Sequence, residues 1–148
     1  MDTFGNKLQV IYHNVPLPFH TWAFSAVKTL LAVNKISNIG AQILIKNLYT
    51  EDQDQFSNDN LQNSTASNVK QLLLNYASSK TGISYEQLNS TFNDMEYDAR
   101  IEFKFASEHS VSGTPTAFLN GVPKKYDPST DVQTIINDIN KLLPWITF

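Results

Sequence analysis

The sequence predicts an α/β fold, and three observations carry that prediction. Two short apolar runs, "KLQVIYHNV" near the start and "PTAFLNG" late in the chain, have the composition of strands. Between them, apolar residues recur at three- and four-residue spacing over much of residues 22 to 105. Beyond the second run, Val132, Ile135, Ile136, Ile139, Leu142 and Leu143 form one helical stripe, stopped by Pro144. A chain of 148 residues, 41% of them hydrophobic, is long enough for one core that buries roughly 70% of the surface its unfolded form exposes. It contains no internal repeat and no linker, so a single domain over residues 1–148 is expected.

The first run places Leu8, Val10, Ile11 and Tyr12 ahead of Pro16 and Pro18, which suits a buried strand leading into a loop. Thr21 is the expected cap of a first helix, on which Ala23, Phe24, Val27, Leu30 and Leu31 recur at helical spacing as far as Asn34. Ser37 or Asn38 caps a second helix with Ile39, Ile43, Leu44 and Leu48 on one face, fraying into the acidic "TEDQDQFSND". "DNLQNSTAS" reads as a polar loop. A third helix is expected from about Asn68 to Ser79, closed by Lys80-Thr81-Gly82, because glycine accepts the left-handed backbone that ends a helix. Ser84 and Gln87 make a capping-box pattern that opens a short helix through Leu88. The segment "RIEFKF" alternates like a strand, whereas Tyr97, Ile101, Phe105 and Glu96, Arg100, Lys104 follow helical spacing; Asn93 or Asp94 as N-cap favours the helix. Asn120-Gly121 is a strong hairpin signal, so a second short strand is expected after "PTAFLNG".

Charge and composition exclude several classes of partner. A net charge of -3, with 17% charged residues and scattered lysines, provides no basic field for nucleic acid or for an anionic membrane. The longest apolar runs, such as Leu30 to Val33, fall far short of the roughly 18 residues of a membrane span. "MDTFGNKLQVIYHNV" is too short and interrupted for a secretory signal, so a soluble chain of open localisation is expected. The absence of cysteine excludes disulfides, zinc thiolate sites and a thiol nucleophile. The N-x-[ST] triplets at Asn63 and Asn89 are the chance product of a chain rich in Asn, Ser and Thr.

No metal or cofactor is expected. His13, His20 and His109 stand on separate segments without ligand spacing and read as loop histidines. His20, in "PLPFH" at the head of a helix, is placed either to touch a substrate or to complete the N-terminal cap. Ser112 and Thr114 have no activating base beside them, which argues against nucleophilic catalysis. Phe19, Trp22 and Phe24 read as core. Glu51 to Asp54 reads as a solvated helix end, since it lacks the spacing of an EF-hand loop.

"VSGTPTAFLNG", followed by a C-terminal helix, resembles the end of the DsbA-like thioredoxin family, in which that proline has a cis peptide bond and sits beside the active site. "VPLPFHTWAFSAVKTLLAVNK" resembles the "FPLPYH...AF.A...L..VNK" segment of eukaryotic DsbA-like thioredoxin-domain proteins. "FNDMEYDARIEFKFASEHSVSGTP" is similar to their last inserted helix and loop, so the resemblance covers almost the whole chain. It implies a thioredoxin-like (DsbA-type) α/β fold with a helical insertion over about residues 36–110, and a cis Thr114-Pro115 bond. In the preferred register "LQVIYHNVPLPFH" is the second strand and loop of the thioredoxin motif, because the match continues through Asn34. The first strand and the Cys-x-x-Cys helix would then precede Met1, and the central sheet would be incomplete. In the other register "VIYHN" is the first strand and Val15-Pro16-Leu17-Pro18 stands where Cys-Pro-x-Cys would.

Both registers lack the redox dithiol. Disulfide exchange needs a thiolate, and neither proline nor valine replaces it. The resemblance therefore implies a redox-inactive module that is structural or binds a protein or peptide, with no catalytic residue. Ser112, Gly113, Thr114, Pro115 and His20 are its binding candidates, the loop amides being placed to pair with an extended peptide. The implied partner is a protein or peptide, which donates a β-strand to the gap between "KLQVIYHN" and "PTAFLNG", or a second copy of the chain. The alternative is a thiol–disulfide oxidoreductase or glutathione-transferase-like enzyme whose N-terminal active-site segment is absent from this chain.

Overall fold

The computed structural model describes residues 4–50, 53–127 and 129–142. In chain order the elements are a 3-10 turn at Gly5–Lys7, α1 (Ala23–Ile36), α2 (Asn38–Thr50), a 3-10 turn at Gln53–Phe56, α3 (Asn58–Leu61), α4 (Ala66–Thr81), α5 (Tyr85–Asp94), α6 (Glu96–Glu108), β1 (Ala117–Leu119), β2 (Val122–Lys124) and α7 (Val132–Leu142). Helices and strands are both present, as the sequence predicts, but helices dominate, and the sheet of the described residues is one antiparallel pair. The chain divides into two compact units: His13–Ser110, and the residues up to Tyr12 together with those from Val111 onward.

The helical unit, His13–Ser110, closes on two clusters. The larger gathers Leu30 and Val33 of α1, Leu44 of α2, Leu74 and Ala77 of α4, Leu88 and Phe92 of α5, and Met95. The smaller gathers Leu61, Val69 and Leu73, with Trp22, Ala26 and Phe56 packed against them. Several caps follow the sequence. The Ser37 hydroxyl accepts from the Gly40 amide at 3.0 Å. The Ser84 hydroxyl accepts from the Gln87 amide at 3.3 Å and donates to its side-chain oxygen at 3.3 Å. Gly82, with φ 73°, ends α4 in the left-handed region.

Four local expectations are corrected. Thr21 does not cap α1: its amide donates to Asn58 Oδ1 at 3.0 Å, and Asn58 Nδ2 donates to the Phe19 carbonyl at 2.9 Å, so the head of α1 is fixed by a residue of α3. "DNLQNSTAS" is not simply a loop, because Asn58–Leu61 is a helical turn capped by Ser57 and held by the buried Leu61. Asn93 and Asp94 do not cap α6; they complete α5, which runs to Asp94 and meets α6 at the buried Met95. Phe19 is exposed rather than core, since the turn in which the His20 amide donates to the Leu17 carbonyl at 3.2 Å buries Leu17 instead.

The second unit carries β1, β2 and α7. Asn120 (φ 50°) and Gly121 (φ 79°) form the two-residue turn that the Asn-Gly pair predicts, and Leu119 faces Val122 across it. The Thr114-Pro115 bond is cis. The expected strand over Leu8–Tyr12 is not one: Leu8 leaves the preceding turn at φ -126°, ψ 125°, and no ladder forms along the segment. Its apolar residues suggest burial, yet Val10, Ile11 and Tyr12 are exposed, and neither β1 nor β2 pairs with them. In the C-terminal stripe Ile135, Ile136, Ile139 and Leu142 are half-buried and Val132 is exposed, while Leu143 and Pro144 lie outside the described residues.

Asp138 on α7 ties this unit together. Its Oδ2 accepts from Lys124 Nζ at 3.2 Å and from the Tyr126 hydroxyl at 3.0 Å, and its Oδ1 accepts from Lys141 Nζ at 3.0 Å. Hydrogen bonds from Lys141, Tyr126 and Lys124 hold the carboxyl at about 2, below the usual carboxylate value. Burial, and then the bond to Asp138, push the Tyr126 hydroxyl upward. A carboxyl depressed in the folded state adds stability above its ordinary value and loses it as the pH falls through about 2. Asp138→Asn is therefore expected to be less stable than the parent chain near neutral pH, the difference shrinking as the pH falls from about 4 through about 2. Thermal melts of both proteins across that range, with an NMR titration of the Asp138 carboxyl, are the check.

Candidate functional site

The helical unit carries an open groove of about 540 Å³, walled by Pro16, Leu17, Pro18, His20, Thr21 and Phe24 on one side and by Glu96, Arg100 and Phe103 on the other. The first wall is rigid for local reasons. Two prolines fix their own backbone, Pro16 and Leu17 are buried, and the residues from Phe19 to Thr21 are pinned by Asn58. The Ala23 amide donates to the His20 carbonyl at 3.0 Å, which hands the loop directly to α1. The second wall is one face of α6, since positions 96, 100 and 103 fall one and two turns apart.

The charges in this groove are ordered. Glu96 Oε1 accepts from Arg100 Nε at 3.2 Å and Nη2 at 2.9 Å, while Oε2 accepts from Lys28 Nζ at 3.1 Å. The Arg100 bonds first, and then Lys28, hold the Glu96 carboxyl below the usual range. Lys28, Glu96 and Arg100 together carry one net positive charge. The His20 ring lies 4.8 Å from that of Phe19, and among the described residues no hydrogen bond engages its nitrogens. Apolar walls flanked by a net cation and an open imidazole suit a segment that offers both an apolar side chain and a hydrogen-bond acceptor or carboxylate.

The five sequence-derived candidates divide between the two units. His20 lines the groove of the helical unit and does not cap α1 through its side chain. Ser112, Gly113, Thr114 and Pro115 belong to the other unit, where the Thr116 hydroxyl donates to the Gly113 carbonyl at 2.7 Å. The amides of Ser112, Gly113 and Thr114 donate to no described residue. His13 and His109 stay with the helical unit: His13 Nδ1 is 3.1 Å from Glu102 Oε2, and both rings stack on Phe105 at 4.0 and 4.1 Å. Among the described residues no three His, Cys, Asp or Glu side chains come together as a metal site, and no helix is long and apolar enough to cross a membrane.

Sequence reading missed Glu96, Arg100 and Phe103 as groove residues, and it assigned to the core Phe24, which is half-buried and lines the opposite wall. The four-residue spacing of Glu96 and Arg100 was a visible signal of an ion pair, but its third member, Lys28, stands on another helix and leaves no local trace. Comparisons with protein-family models, curated proteins and solved structures find no match to this chain.

Proposed function

We propose that this chain is a redox-inactive, thioredoxin-like module that binds an extended protein or peptide segment, and that the groove between residues 16–21 and α6 receives it. The observation that carries the reading is the groove itself, with Leu17, Phe24 and Phe103 as apolar surface and Arg100 and His20 as polar groups. A bound segment would bury an apolar side chain against Phe24 and Phe103 and set an acidic group near Arg100. The thioredoxin-like, DsbA-type assignment belongs to the same proposal. What supports it is the succession of a helical unit, a "GTPT" loop, an antiparallel β1–β2 pair and the amphipathic α7. Redox inactivity follows from the chemistry available, since the 148 residues include no thiol.

The test is a binding screen of immobilised synthetic peptides that pair an aromatic or aliphatic residue with Asp or Glu, followed by calorimetry on the best binder. Phe103→Ala is expected to weaken binding roughly tenfold, the effect of losing about 1.4 kcal/mol of apolar burial. Arg100→Ala is expected to remove most of the salt dependence. Both residues are exposed, so both variants should fold. Peptides that bind equally well to the parent and to both variants would place the site elsewhere. In parallel, the chain should turn over a disulfide substrate no faster than a no-protein control; turnover would remove the redox-inactive half of the proposal.

A further inference from the structure

The segment Leu8–Tyr12 presents an unusual surface. Val10, Ile11 and Tyr12 are 47%, 65% and 59% exposed, and Gln9 is exposed as well. Among the described residues no backbone hydrogen bond engages Gln9 to Tyr12. Exposed strand-forming segments are ordinarily protected by a charge, a proline or a bulge, and Leu8-Gln9-Val10-Ile11-Tyr12 contains no charge and no proline. β-branched and aromatic residues with free amides and carbonyls on both sides form a template for another strand.

We infer that this segment pairs with the same segment of a second copy of the chain, antiparallel and centred on Ile11. The sequence is self-complementary in that register. Ile11 faces Ile11, and Val10 faces Tyr12 twice, giving two β-branched–aromatic cross-strand pairs about a two-fold axis. Charge selects the direction. A parallel, in-register pair would set the exposed Lys7 of one copy beside that of the other, whereas the antiparallel pair separates them by eight residues, about 26 Å. A strand this short gives a small interface, so the dimer is weak and dependent on concentration. The inference rests on this segment alone and is independent of the peptide groove.

The absence of cysteine makes the register directly measurable. Single variants Val10→Cys, Ile11→Cys and Tyr12→Cys would be oxidised at matched high concentration beside Asn75→Cys, which places a thiol on the exposed face of α4. Directly opposed strand residues fall within disulfide reach, so Ile11→Cys is expected to form a covalent dimer about tenfold faster than the other three. Sedimentation should show a monomer–dimer equilibrium for the parent chain, shifted at least about tenfold toward monomer by Ile11→Lys, whose fold is verified by circular dichroism. A parent chain that stays monomeric at every concentration would overturn the proposal. So would an Ile11→Cys variant that crosslinks no faster than Asn75→Cys, or a Val10→Cys or Tyr12→Cys variant that crosslinks fastest.

Discussion

Replacing Phe92 with alanine is expected to cost the helical unit about 3–5 kcal/mol of stability. Phe92 is buried in the larger core cluster beside Leu88 and Met95, so truncation removes a large apolar side chain and opens a cavity that rigid helices fill only in part. Its ring also faces two cations, with Lys28 Nζ 4.4 Å and Lys70 Nζ 4.9 Å from the centroid. Lys28 is largely buried, and its ammonium has Glu96 as its ion-pair partner. Removing the ring leaves that ammonium beside a void. Phe92→Leu separates the two effects, because leucine restores most of the volume but none of the ring face; it is expected to cost about 1–2 kcal/mol. Urea unfolding followed by circular dichroism gives both values. A loss below about 1 kcal/mol in Phe92→Ala would contradict the packing derived for α5.

How far the structure was legible in the sequence depended on how local each signal was. Ser84 with Gln87, Gly82 and Asn120-Gly121 act within three residues of themselves, and each forms the cap or turn that its chemistry dictates. Thr21 was misread because the acceptor for its amide sits 37 positions away on Asn58, and nothing near Thr21 announces that. Leu8–Tyr12 has strand composition, yet composition supplies only half of a strand; the other half is a partner, and neither β1 nor β2 pairs with it. The groove was half visible. Two prolines and His20 mark the loop, but the α6 wall depends on which way that helix faces, which helical spacing alone does not fix.

The face that α6 turns inward sets the last expected result, that Ala99→Leu destabilises the helical unit by about 1–3 kcal/mol while Tyr97→Ala changes it by less than about 0.5 kcal/mol. The sequence draws attention to Tyr97, Ile101 and Phe105, large apolar residues at four-residue spacing. In the structure Tyr97 is 72% exposed, whereas Met95, Ala99 and Ala106 are the residues buried at α6. α6 packs on α1, and Ala99 and Ala106 are its buried small residues. Ala99 is fully buried, so a leucine there must push its neighbours apart or adopt a strained rotamer. Alanine and leucine are both strong helix formers, so the loss would report packing rather than backbone propensity. Thermal unfolding of the two variants checks the order. If Tyr97→Ala proves the more damaging, then the aromatic stripe, and not the alanine side, is what α6 turns toward its core.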